Sequence, residues 1–116
     1  MLYPVEKLLP NRNAVLCVNG KETVRDALVK MVRHDYSQLP VIDDAGNLTG
    51  IITERTITRT YYHVSESIPL FNLTVDHCQS PAVTLSIDQD IFEALDRLQS
   101  ASALVITEGR KPVGLL

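Results

Sequence analysis

Apolar residues recur at i, i+3, i+4 and i+7 in two stretches of the chain: Val24, Ala27, Leu28 and Met31 in one, Ile91, Ala94, Leu95 and Leu98 in the other. That spacing gathers four apolar side chains on one face and predicts an amphipathic helix in each stretch. "TVRDALVKM" and "DIFEALDRL" superimpose under a shift of 67 residues, Thr23 onto Asp90, so the chain carries an internal repeat. In both copies a capping side chain precedes an acid by three positions, Asp26 or Glu93, which favours a helix start and complements its dipole.

The alternating pairs Leu16/Val18 and Val83/Leu85 obey the same shift and suit a short strand leading into each helix. Beyond the helices, "LPVIDDAGNLTGII" lines up with "ALVITEGRKPVGLL" once three residues are dropped from the second copy. Val41, Ile42 and Gly50 then fall on Val105, Ile106 and Gly114. Both segments read as hairpins, turning at Asp43-Asp44-Ala45-Gly46-Asn47 and at Glu108-Gly109-Arg110. The repeating unit is strand, helix, strand, turn, strand, with a connecting region from about Thr56 to Ser80. The expected fold class is α+β. A three-stranded sheet with few helices leaves one face open, and the two halves are expected to cover each other in one core.

The 116 residues, 45% hydrophobic and 22% charged, have globular composition and exclude a disordered chain. A net charge of -3, with Lys and Arg scattered, argues against a nucleic-acid partner, which needs a basic face. Cys17 and Cys78 lack C-x-x-C spacing and fit inert, reduced thiols. "MLYPVEKLLP" has no basic region followed by an apolar run, so no signal peptide is expected. No apolar run approaches the roughly 20 residues of a membrane span. The expected location is therefore the cytoplasm, with no membrane partner, where "NLT" at Asn47 and Asn72 has no glycosylation consequence.

"SQLPVIDDAGNLTGIITERTI", preceded by "TVRDALVKM", resembles the cystathionine-β-synthase (CBS) domain, and the duplication resembles the tandem CBS pair called a Bateman module. The resemblance covers nearly the whole chain, as residues 1–64 and 65–116. It implies two β-α-β-β-α repeats packed about a pseudo-twofold axis, the second stopping at the C-terminus with "VGLL", where a Ser or Thr would follow. It also implies a regulatory module, commonly a homodimer, that binds AMP, ADP, ATP or S-adenosylmethionine and controls a fused or separate effector protein.

A strand that ends at Thr53 and passes into a helix presents backbone N–H groups and the positive end of a helix dipole, where phosphate binds well. Thr53 adds a hydroxyl, and Arg55 or Arg59 a charge. The family pattern here is Gly, two apolar residues, Ser or Thr, two variable residues, then an Asp that holds the ribose. This chain keeps Gly50, Ile51, Ile52 and Thr53 but has Thr56 at the Asp position. One neutral hydroxyl replaces a carboxylate, so adenosyl affinity should fall there. The resemblance further implies that each cleft is built across the repeats. Thr53, Arg55 and Thr56 would face Thr84, Ser102, Ala103 and Leu104; the opposite cleft would use Cys17, Tyr36, Ser37, Gln38 and Pro40.

Structural roles compete with these. Thr53 suits a helix cap, Arg55 and Arg59 a solvated face, and Tyr61 and Tyr62 a packing or dimer surface. His34, His63 and His77 share no metal-ligand spacing, and no metal or cofactor is expected. Asp43 and Asp44 fit turn geometry, and "KPVG" lacks the Gly-rich cradle of a phosphate loop. No nucleophile elbow or Ser-His-Asp or Cys-His signature occurs, so the chain is not expected to be an enzyme. The alternative to a ligand sensor is a degenerate pair that only dimerises or docks.

Overall fold

The computed structural model describes residues 3–9, 15–63, 69–101 and 103–116. Among these, the first repeat forms β1 (Val18–Asn19), α1 (Val24–His34), β2 (Gln38–Ile42), β3 (Leu48–Thr53) and α2 (Glu54–His63). The second forms β4 (Thr84–Ser86), α3 (Ile91–Leu98), β5 (Val105–Glu108) and β6 (Lys111–Leu115). The sheets run β1-β2-β3 and β4-β5-β6, each with a parallel pair joined through the helix and an antiparallel hairpin. The fold is α+β, as expected. Helix α2 occupies the start of the stretch read as connecting chain. No helix of the described residues is long and apolar enough to cross a membrane.

Local chemistry starts the helices where the sequence places them. The Thr23 hydroxyl accepts the Asp26 amide and the Asp26 carboxylate accepts the Thr23 amide, each at 3.1 Å, which closes a reciprocal capping box on α1. On α3 the Asp90 carboxylate accepts the Glu93 amide at 3.0 Å. Helix α1 ends at Asp35, held left-handed at φ 57°, and the Tyr36 amide folds back to the Met31 carbonyl at 2.9 Å.

The strand registers correct the repeat alignment by one residue. Val18 pairs with Val41 and Leu85 with Ile106, and the two hairpin glycines lie opposite Val41 and Ile106. Val41 is therefore equivalent to Ile106, and Leu39 to Leu104, all four fully buried. Two of the three dropped residues lie before the strand and the third lies in the turn. A strand alternates faces with period two, so the one-residue slip would turn each core side chain outward. "VI" occurs in both copies and makes the wrong register look right in the sequence.

The chain divides into two compact units, Leu16–Pro81 and Met1–Val15 with Ala82–Leu116. The single core expected from the repeat is instead one hydrophobic cluster per unit. Each sheet is covered by its helix and by a lead segment that the repeat alignment did not reveal. In one unit Pro4 bridges Asp90, the Val5 amide donates to the Gln89 carbonyl at 2.8 Å, and the Ile91 amide donates to the Tyr3 carbonyl at 2.8 Å. In the other, Thr74 bridges Thr23, the Val75 amide donates to the Glu22 carbonyl at 2.7 Å, and the Val24 amide donates to the Leu73 carbonyl at 2.8 Å. These are the same three contacts made twice. Val5 and Val75 each begin a short 3-10 helix, and both are completely buried.

The same docking explains the paired glycines. A Cβ on Gly50 would lie 2.8 Å from the Ser80 carbonyl oxygen, which is fixed because Ile51 and Ser80 exchange backbone hydrogen bonds of 2.8 and 2.9 Å. The three atoms nearest a Cβ on Gly114 all belong to the side chain of Leu9. Backbone cannot yield as a leucine rotamer can. Gly50→Ala is therefore expected to cost about 1–3 kcal/mol, and Gly114→Ala clearly less. Urea denaturation of the two variants measures the difference, and equal costs would refute the assignment.

Candidate functional site

The turn from β3 into α2 folds its polar groups onto itself. The Thr53 hydroxyl accepts the Thr56 amide at 3.0 Å; the Thr56 hydroxyl accepts the Thr53 amide at 2.9 Å and donates to the Thr53 carbonyl at 3.0 Å. The Glu54 amide donates to the Ser37 carbonyl at 3.2 Å. Among the described residues the Arg55 amide has no protein acceptor. Among the described residues the Thr53 hydroxyl accepts the one bond from the Thr56 amide and donates none. Thr56 is 7% exposed and has spent its only proton. Farther along α2, Thr58 and Thr60 donate to the Glu54 and Thr56 carbonyls at 2.8 and 2.9 Å, so these hydroxyls serve the helix as well.

Ser37 and Gln38 lie beside this turn, Gln38 being the register partner of Thr53. Pro40 is buried within the central strand without breaking the ladder. Its partner Ile51 turns its amide and carbonyl outward to Ser80, so the position on Pro40 that lacks a proton faces the β1 side. There β1 begins only at Val18, opposite Val41. Tyr36 stacks on His34 with ring centroids 6.3 Å apart.

Cys17 and Thr84 are equivalent by the 67-residue shift and share one device. Lys30 of α1 donates to the Cys17 carbonyl at 3.1 Å, and Arg97 of α3 donates to the Thr84 carbonyl. Lys30 and Arg97 are themselves equivalent, each also paired with an acid, Glu22 or Glu93, at 3.3 Å. Both carbonyls stand at the start of an edge strand, where a cation from the crossover helix satisfies them. Burial pushes the Cys17 thiol up, and nearby Lys30 pulls it the other way. Burial likewise raises Cys78, against a hydrogen bond with Thr60. Neither cysteine is in a disulfide.

Thr53, Arg55, Thr56, Cys17, Ser37, Gln38 and Pro40 belong to one compact unit, Thr84 and Ala103 to the other. Ala103 and Leu104 are buried. Ser102 lies outside the described residues. Asp43 accepts the Ala45 and Asn47 amides at 2.9 Å each and shapes its turn. Asp44 instead binds Lys21 at 2.6 Å and Asn19 at 3.0 Å, and Lys21 and Asn19 hold its carboxyl below the usual range. No group of three or more potential metal ligands occurs among the described residues.

One feature escaped the sequence reading. Thr56, Arg59, Thr60 and His63 form one wall of a groove of about 280 Å³, and His77 to Ser80 form the other. The helical spacing of those four polar residues was the available signal. His77 is engaged there by Thr74 at 2.7 Å and by Asp76 at 3.1 Å.

With this geometry in place, similarity to known proteins can be weighed. The family described as CBS domain matches residues 5–63 and 75–116. Both matches begin at the buried valines of the two lead segments. Methylated protein MJ0556 of Methanocaldococcus jannaschii is 30% identical over 84 residues, covering 72% of this chain and 45% of that protein. The chain thus spans about half the length of this relative. The crystal structure of CBSX2 in complex with AMP is 21% identical, with a TM-score of 0.81 over 98% of this chain and 89% of that one. The CBS domain of a bacterial CNNM/CorC family Mg2+ transporter in complex with ATP is 19% identical, with a TM-score of 0.76 over 98% of this chain and 80% of that one.

Replacing Thr56 by Val keeps its shape but orphans the partly buried Thr53 amide. A loss of about 1–2 kcal/mol is expected in chemical denaturation. An unchanged midpoint would show that the hydroxyl does not cap the helix.

Proposed function

The chain belongs to the CBS-domain family, and on that premise we propose that it is a regulatory CBS pair, acting in the cytoplasm, that binds an adenosyl ligand and controls a fused or partner protein. The ligand class is AMP, ADP, ATP or S-adenosylmethionine. The observation that carries this reading is Thr53: it stands at a strand-to-helix turn, and among the described residues its hydroxyl donates to no protein group and the Arg55 amide beside it has no protein acceptor. The AMP and ATP bound by proteins of the same fold support the ligand class.

Thr53, Arg55 and Thr56 are the ligand contacts proposed from the first repeat, and Thr84, Ser102 and Ala103 those proposed from the second. Cys17, Ser37, Gln38 and Pro40 belong to the opposite cleft. Occupancy regulates by the difference in its affinity for two arrangements of the repeats. The module works as a homodimer. Tyr61 and Tyr62, 62% and 78% exposed on α2, supply apolar area suited to that contact. Catalysis is not part of this function.

A degenerate pair that dimerises or docks without a ligand is the second reading, favoured by one observation: the Thr56 hydroxyl is spent on the Thr53 backbone. Thr56→Asp separates the two. An aspartate there can accept the Thr53 amide with one oxygen and offer the other to a ribose. Titration calorimetry with the four ligands is expected to show weak binding by the natural chain and about tenfold tighter binding by the variant. No heat from either protein at millimolar ligand would overturn the sensor reading and leave the docking module.

A further inference from the structure

Asn19 and Gly20, the only Asn-Gly pair in the chain, stand where β1 ends and are not among the ligand contacts proposed above. In such a pair no side chain shields the glycine nitrogen, which can attack the asparagine side-chain carbon. A bond forms between the Gly20 nitrogen and the Asn19 Cγ, and the Cγ–Nδ2 bond breaks. The Gly20 amide proton leaves with the Nδ2 group as ammonia. Water then opens the cyclic imide at either carbonyl and leaves aspartate or isoaspartate at position 19, with no change of oxidation state. The fold does not demand this glycine. Its φ lies outside the left-handed region, and a Cβ there would make ordinary contacts, 3.4 Å to the Asp76 Cβ and 3.6 Å to the Val41 Cγ1.

We propose that Asn19-Gly20 is a site of spontaneous deamidation that the native turn holds shut, with Asp44 as the residue that restrains the asparagine side chain. The reacting groups are engaged. The Gly20 amide donates to the Ile42 carbonyl at 3.0 Å, so attack must first break the last rung between β1 and β2. The Asn19 side-chain oxygen accepts the Lys21 amide at 2.9 Å, as an Asx turn does, and its nitrogen donates to Asp44 at 3.0 Å. The bond from Lys21 polarises the side-chain carbonyl and by itself would favour attack. Asp44 opposes it by anchoring the leaving nitrogen to the turn between β2 and β3. Lys21, at 2.6 Å, and Asn19 keep that carboxyl ionised, so it has no proton to give to departing ammonia. Opening the site has a local consequence. A carboxylate at position 19 would face Asp44 where an amide donor stood. Isoaspartate would add a methylene to the backbone of a strand of 2 residues, displacing the Asn19–Ile42 pairing and the bond from the Glu22 amide to the Asn19 carbonyl.

Peptide mass spectrometry of the full chain, incubated at neutral pH, tests this, with fragmentation placing the gain of about 1 Da at position 19. The folded natural chain is expected to deamidate about tenfold more slowly than the same chain in urea. Gly20→Ala, whose methyl shields the nitrogen, is expected to slow the reaction in urea about tenfold. In the folded state Asp44→Ala, at an exposed position, is expected to react about threefold faster than the natural chain, while Asp44→Asn, which keeps an acceptor for the Asn19 nitrogen, stays within about twofold of it. Equal rates for the natural chain folded and in urea overturn the shielding. An Asp44→Ala rate equal to that of the natural chain overturns the part given to Asp44, and so does an Asp44→Asn rate equal to that of Asp44→Ala. A Gly20→Ala chain that reacts in urea as fast as the natural one overturns the chemistry assigned to the pair.

Discussion

Each three-stranded sheet of this protein depends on a segment that comes from far away in the chain. One helix cannot cover a sheet, and the buried valines Val5 and Val75 complete the covering by docking beside Gln89 and Glu22. The residues preceding the first repeat's strand thus close the unit built from the second repeat, while residues 73–80 close the unit built from the first. Backbone hydrogen bonds fix this docking, and the glycine opposite each segment admits it. A glycine at Gly50 is therefore required by close approach of backbone, and the repeat inherits one at Gly114.

That arrangement also joins the repeats through the chain. Each lead segment ties the two family repeats by chain connectivity as well as by packing, so neither sheet-and-helix core is complete without chain from the other repeat. Coupling between sites needs such a shared element with two arrangements, rather than distance or proximity alone.

The Thr53–Thr56 turn shows how one substitution redistributes roles without disturbing the backbone. The family pattern places a carboxylate where this chain has Thr56, and either side chain can accept the Thr53 amide. Only the carboxylate has a second oxygen to spare. The helix start survives, and the group that would meet a ribose is spent. Helix capping uses the same atoms that a ligand contact would need, which is why a residue pattern alone reads equally well as structure or site.

The sequence by itself determined the duplication, the helices with their caps, the hairpins, and the Thr53 turn, because these are written in local periodicity and in side chains that bond within three or four residues. It misplaced the strand equivalence by one residue, since "VI" falls on "VI" only in the wrong register and the pairing with β1 and β4 reveals the right one. The closure of each unit by a distant lead segment, the close contact that requires Gly50, the groove between α2 and residues 77–80, and the spent hydroxyl of Thr56 were decided by tertiary structure. They depend on which backbone atoms meet across tens of residues, and no periodicity in the chain encodes that meeting.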